Sequence, residues 1–201
     1  MINRMLAEIN QLGYNFKFAA DLIYREISDM NILRKVQKYI GCFEDEGISA
    51  ELISVIGIKS NIEATETIIS NYENSSSENK QKQAGFYDNA LYRIKDKRYI
   101  EKYLEFMLND EDFIRLPLVM TLLARWNIPQ AKEHFMRNLN TQDQDKIFVA
   151  ILCLSFYKND SAVLDALNKI SDMGNPDIKD AIKKAIIKLS KPVLKRKKEN
   201  G

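Results

Sequence analysis

The chain has 201 residues, 45% of them apolar and 29% charged, with a formal net charge of +2. That is enough chain to bury a sizeable core, and the balance is that of a globular protein, not a disordered or fibrous one. Its 7 glycines and 4 prolines are few for a protein of many tight turns, which favours long helices over a sheet.

The charge is unevenly placed. In the tail 191–201, Lys191, Lys195, Arg196, Lys197 and Lys198 stand against Glu199, which leaves the remainder at about −2. A body that neutralises phosphates is itself basic, so a nucleic-acid partner is not expected, and the basic tail reads as a solvated terminus. No run approaches the roughly 18 apolar residues of a membrane span. Met1–Glu8 has no long apolar core and ends in an acid, so no secretory leader is read there. Cys42 and Cys153 lie far apart in apolar helical patterns. Both read as buried, reduced thiols, which fits a cytoplasmic protein.

Apolar residues recur at helical spacing and hardly ever alternate. Phe18, Leu22, Ile23 and Ile27 form one stripe. Ile32, Leu33, Val36, Ile40 and Phe43 form the next, which Glu44-Asp45-Glu46-Gly47 stops. Ser49 reads as the N-cap of a short helix through Leu52, Ile53 and Ile56, and Ile62–Tyr72 reads as another. The polar run 73–83 contains an expected exposed loop at Asn74–Asn79, the one boundary between subregions. Beyond it, helices are expected near 80–94, 97–109, 112–126, 129–139, 145–157, 161–172 and 176–189. The connectors between them are short, so neighbouring helices run antiparallel. Pro129 and Pro176 fall at helix starts, whereas Pro117 falls in the first turns of its helix and is expected to kink it.

This half of the chain repeats. At an interval of about 32 residues, Phe86, Leu118, Ala150 and Ile182 form one column. Ala90, Leu122, Leu154 and Ile186 form a second, and Tyr103, Phe135 and Leu167 a third. One helix pair cannot bury its own stripe, so such units stack. The run Asp110-Glu111-Asp112-Phe113-Ile114-Arg115 resembles the acidic turn and following Val-Arg of a HEAT motif. Residues 84–190, and in degenerate form 32–190, resemble the HEAT/armadillo-like family of α-solenoids. The sequence departs from that pattern in two ways. The arginine does not recur at Ile147 or Lys179, and the interval is short for a HEAT unit. The resemblance implies an all-α fold, a right-handed α-α superhelix of antiparallel helix pairs. The organisation expected is an N-terminal helical cap over 1–60, HEAT-like repeats over 61–190 and a basic tail over 191–201, in a single domain.

Catalytic chemistry is hard to assemble from these residues. His134 is the one histidine, and Glu133, its neighbour in sequence, does not share its helix face. One histidine and two distant cysteines do not make a zinc site, and no phosphate loop or nucleophile elbow is present, so no metal or cofactor is expected. Acidic residues mark successive corners: Glu44, Asp45 and Glu46, then Asp110, Glu111 and Asp112, then Asp143 and Asp145. They read as helix caps, and also as an acidic ridge for a basic partner.

One column is polar. Arg93, Arg125 and Tyr157 share it, flanked by Tyr92 and Trp126. The resemblance implies that their helices line a concave groove, and Arg and Tyr are what binding hot spots are made of. The function expected is that of a non-enzymatic protein-binding solenoid, an immunity or adaptor protein whose partner is a protein such as a basic toxin domain. The alternative within the same resemblance is a DNA glycosylase for alkylated purines, using Trp126, Tyr92, Arg93, Arg125 and Asp88.

Overall fold

The computed structural model describes residues 1–43, 45–172 and 175–190. The basic tail lies outside the described residues. Within them every regular element is helical: thirteen α-helices and one 3-10 turn, with no strand. No helix among them is long and apolar enough to cross a membrane. The chain forms two compact units, Met1–Phe106 with Arg115–Val119, and Met107–Ile114 with the residues from Met120 onward. The boundary between these units falls within 106–120.

In the first unit, α1 (Ile2–Asn10) buries Met5, Leu6 and Ile9. The stripe that begins at Phe18 yields only α2 (Ala19–Ile23). Ile27 falls outside it, because the chain must turn to Asp29, whose side chain caps α3 (Met30–Tyr39) by accepting from the Asn31 amide. The Tyr39 hydroxyl donates to the Glu8 carboxylate at 2.5 Å and so ties α3 to α1. Cys42 just beyond α3 is exposed, contrary to its expected burial.

The next helix, α4 (Glu46–Ile56), is capped by Asp45 and not by Ser49. Ser49 is buried inside the helix, where its hydroxyl accepts from the Gly41 amide at 3.4 Å. α4 ends at Gly57 against α6: a Cβ there would stand 2.3 Å from the Ala90 Cβ, so the close approach of the two helices requires a glycine.

The expected loop at Asn74–Asn79 is largely helix. α5 (Ala64–Asn74) is followed after Ser75 and Ser76 by α6 (Ser77–Ile94). Ser76 caps α6, and the Glu46 carboxylate, thirty-odd residues upstream, accepts from the Ser76 amide at 3.2 Å and from Asn79 Nδ2 at 2.6 Å. A polar composition here marks a helix start held from a distance.

A 3-10 turn (Lys97–Tyr99) leads into α7 (Ile100–Leu108). Pro117 does more than kink its helix. It separates α8 (Asp110–Arg115) from α9 (Pro117–Arg125). The ring has no N–H of its own, but the following amides need acceptors. Asp88, on α6 and 3% exposed, supplies them: its two oxygens accept from the amides of Leu118 at 2.9 Å and Val119 at 2.8 Å.

The second unit carries α10 (Pro129–Asn138), α11 (Gln144–Leu154), α12 (Ser161–Lys169) and α13 (Pro176–Ser190). Phe113 packs tilted beside Phe135, with ring centroids 6.1 Å apart, and its ring meets His134 edge-on at 5.2 Å. Burial, then the charge of Arg137, lowers the His134 pKa. Among the described residues, the non-glycine residues with positive φ are Lys95, Asn127 and Asn159, evenly spaced along the chain: one residue past α6, two past α9 and five past α11. Each starts a corner, and the next residue prepares a helix. Asp96 and Asp160 do so by accepting amide hydrogen bonds, whereas Ile128 precedes Pro129, which has no N–H to satisfy.

Burial pushes the Asp88 carboxyl up to about 7, against the pull of its two amide donors. In the unfolded chain the same group loses its proton near 3.8. Between those values the folded state holds more protons, so Asp88 makes stability fall as pH rises, by at most about 1.4 kcal/mol per pH unit. The stability advantage of the wild type over Asp88→Asn, from urea unfolding, should shrink as pH rises from about 4 to 7. A constant difference would give Asp88 an ordinary carboxyl pKa. Asp88→Ala, which orphans both amides, should cost about 2 kcal/mol near pH 4, and that cost should also shrink as pH rises towards 7.

Candidate functional site

The expected polar column is divided by the fold. Arg93 belongs to the first unit and is exposed, with its guanidinium 3.5 Å from the Ser54 carbonyl, beside a recess lined by Ile23, Tyr24, Val55 and Ile58. Tyr92 beside it is half-buried, with Lys95 Nζ 5.1 Å from its ring centroid. Arg125 and Tyr157 belong to the second unit. Arg125 is exposed and Trp126 half-buried. Tyr157 is only 5% exposed, and its hydroxyl donates to the Ile128 carbonyl at 3.3 Å. It braces the corner after α9 and offers no surface to a partner, because the periodicity that placed it gives register without saying which residue of the turn faces outward.

The acidic corners serve the helix starts. Asn109, not an acid, caps α8: its oxygen accepts from the amides of Glu111 at 3.0 Å and Asp112 at 3.1 Å. Both acids lie in the first turn, where the helix dipole favours them. Asp110 pairs with Lys146 at 2.7 Å, and Asp143 caps α11 by accepting from the Asp145 and Lys146 amides. Asp110 and Asp143 are exposed as well as engaged in these contacts.

A different surface stands out in the second unit. α11 and α13 run parallel: Gln144 and Asp145 lie at the same end as Asn175 and Asp177, and at the other end Lys188 Nζ donates to Ser155 Oγ at 2.8 Å. Between them is an open groove of about 580 Å³. Its floor is Ile151, Ile178, Ala181 and Ala185, all buried. The two alanines keep α13 low. Phe148 and Leu152 form the wall on α11, and they stay 38% and 37% exposed.

Charge is polarised along this groove. Asp145, Asp177 and Asp180 lie towards the N-terminal ends of the two helices, and Lys184 and Lys188 towards the other. Asp180 and Lys184 pair with each other at 2.5 Å over one turn. Lys188 sits 3.2 Å from the Phe156 ring centroid, and the Arg125 guanidinium 4.6 Å from the same centroid. Burial, then the like charges of Arg125 and Lys158, lowers the Lys188 pKa. Among the described residues there is no cluster of His, Cys, Asp or Glu that could hold a metal ion.

The groove was missed in the sequence because α11 reads as a core helix. Its run from Ile147 to Leu154 is apolar on nearly every side. That was the available signal: a helix apolar all round is either enclosed or presents a face to something else. Phe148, Leu152 and Phe156 recur at i, i+4 and i+8, apart from the buried Ile147, Ala150, Ile151 and Leu154. No protein-family model matches the chain, and no curated protein matches it.

If the outer face of α11 is not part of the core, truncating it should barely affect folding. Phe148→Ser with Leu152→Ser should lower stability by no more than about 1 kcal/mol, whereas Ile151→Ala at the groove floor should cost about 2–4 kcal/mol. Thermal unfolding of the three chains followed by circular dichroism checks this, and a large loss in the double variant would make Phe148 and Leu152 core residues.

Proposed function

We propose that this chain is a non-enzymatic, cytoplasmic protein-binding protein built of HEAT-like helix pairs, an adaptor or immunity protein that grips a segment of a protein partner. The observation that carries this reading is the α11–α13 groove with exposed Phe148 and Leu152 on its wall. Contiguous apolar side chains left exposed beside polar ones are characteristic of binding faces, and the groove has the concavity that lets a partner bury them. The even spacing of the left-handed corners at Lys95, Asn127 and Asn159 supports the repeat reading, since a unit that recurs brings its corner with it. The exposed thiol of Cys42 fits a reducing compartment. Asp145 and Asp177 at one end of the groove supply the negative charge that a basic partner such as a toxin domain needs.

The glycosylase alternative asks for a carboxylate that substrate can reach. Asp88, its candidate, is buried and holds the amides of α9, so this observation favours the binding reading.

The test is partner capture from the native host. The wild-type chain and an Arg93→Ala chain should recover the same protein, and Phe148→Asp with Leu152→Asp should lose it while keeping its helical spectrum. Undiminished capture by the folded double variant would rule out the groove as the binding face. Release of alkylated purines from a methylated duplex by the wild type, abolished in Asp88→Asn, would overturn the non-enzymatic reading.

A further inference from the structure

The groove has a direction as well as a shape. Its wall on α11 runs from Gln144 to Ser155, about 16 Å at the α-helical rise, which matches about three turns of a helix laid along it. The apolar floor and the Phe148–Leu152 wall suit the apolar face of an amphipathic helix, the helix-in-groove mode of recognition. The charges then fix which way that helix runs. Asp180 and Lys184 neutralise each other. What remains is Asp145 and Asp177 at one end and Lys188 at the other.

An acid in the first turn of its own helix and a lysine in the last are both accounted for by the helix dipole. The setting of Lys188 is not. Its ammonium is half-buried, lies over the Phe156 ring together with Arg125, and feels the charge of Lys158 as well. A carboxylate arriving at that end would relieve a concentration of like charge.

A free helix favours acids in its first turn and bases in its last, for the same dipole reason. Laid antiparallel to α11 and α13, such a helix brings its acidic start to Lys188 and its basic end to Asp145 and Asp177. Its dipole also opposes those of the two groove helices. We propose that the α11–α13 groove binds an amphipathic partner helix in this antiparallel sense, with acids in its first turn and bases in its last. This rests on the groove being the binding face, as proposed above.

The test uses two synthetic amphipathic peptides of about four turns, identical in composition and apolar face. One has Glu in its first turn and Lys in its last, and the other has them exchanged. Their binding to the full chain is read by fluorescence anisotropy at low and high salt. The acid-first peptide should bind about tenfold tighter at low salt, and the gap should narrow at high salt. Acid-first peptides are also the better free helices, so the wild type alone does not decide the matter. With Asp145→Lys, Asp177→Lys and Lys188→Glu in the chain, the preference should pass to the basic-first peptide. The milder set Asp145→Asn, Asp177→Asn and Lys188→Gln, which changes no charge sign, should reduce it to the ratio set by peptide helicity.

Saturable binding with the same peptide preference in the wild type and both variant chains overturns the antiparallel inference and leaves the groove as the binding face. Failure of both peptides to bind the wild type overturns the inference together with the groove reading beneath it.

Discussion

The Asp88 carboxylate on α6 is the contact on which the middle of the chain turns. Pro117 ends one helix and begins another inside an apolar stretch, where amides without acceptors are costly. No nearby side chain solves this. A carboxylate carried by a helix thirty residues earlier does, by accepting from both amides at the start of α9. α9 then runs on to Arg125 and the Asn127 corner. A buried charge or a buried neutral acid is an expensive way to cap a helix, and its presence at this position argues that the break at Pro117 is needed. The contact also commits both oxygens of Asp88 to the start of α9.

Much of the fold was legible in the sequence, and the misses share one cause. Helices over the second half fall close to their expected ranges because Pro129, Pro176, Asp160 and short polar corners punctuate strong apolar stripes. Ala90, Leu122 and Leu154 of one column and Tyr103, Phe135 and Leu167 of another are buried, whereas Ile186 is half-buried and Phe86 at the head of a third column is 37% exposed. What was not legible depends on residues distant in the chain. Glu46 converts the polar stretch after Asn74 into a capped helix, and Asp88 converts a kink into a break. Asp45 displaced Ser49 as a cap because the helix could begin earlier, with Gly47 in its first turn.

The polar column picked out α6, α9 and the end of α11, and α11 does carry the groove. Polar character alone favoured Tyr157, which is buried, over Phe148 and Leu152, which are not. A hydrophobic residue on a helix that is apolar all round cannot be assigned inside or outside without knowing how many neighbours that helix has. Here α13 covers one side of α11, and its small residues Ala181 and Ala185 leave the adjoining face uncovered.

The evenly spaced left-handed corners carry a consequence for how this chain tolerates change in length. Each residue added to or removed from a helix rotates everything beyond it by about 100°. A single deletion within α9 or α11 would therefore swing the buried stripe of that helix towards water before the next corner is reached. Insertions and deletions in this part of the chain should therefore be tolerated at the corners themselves and not within the helices.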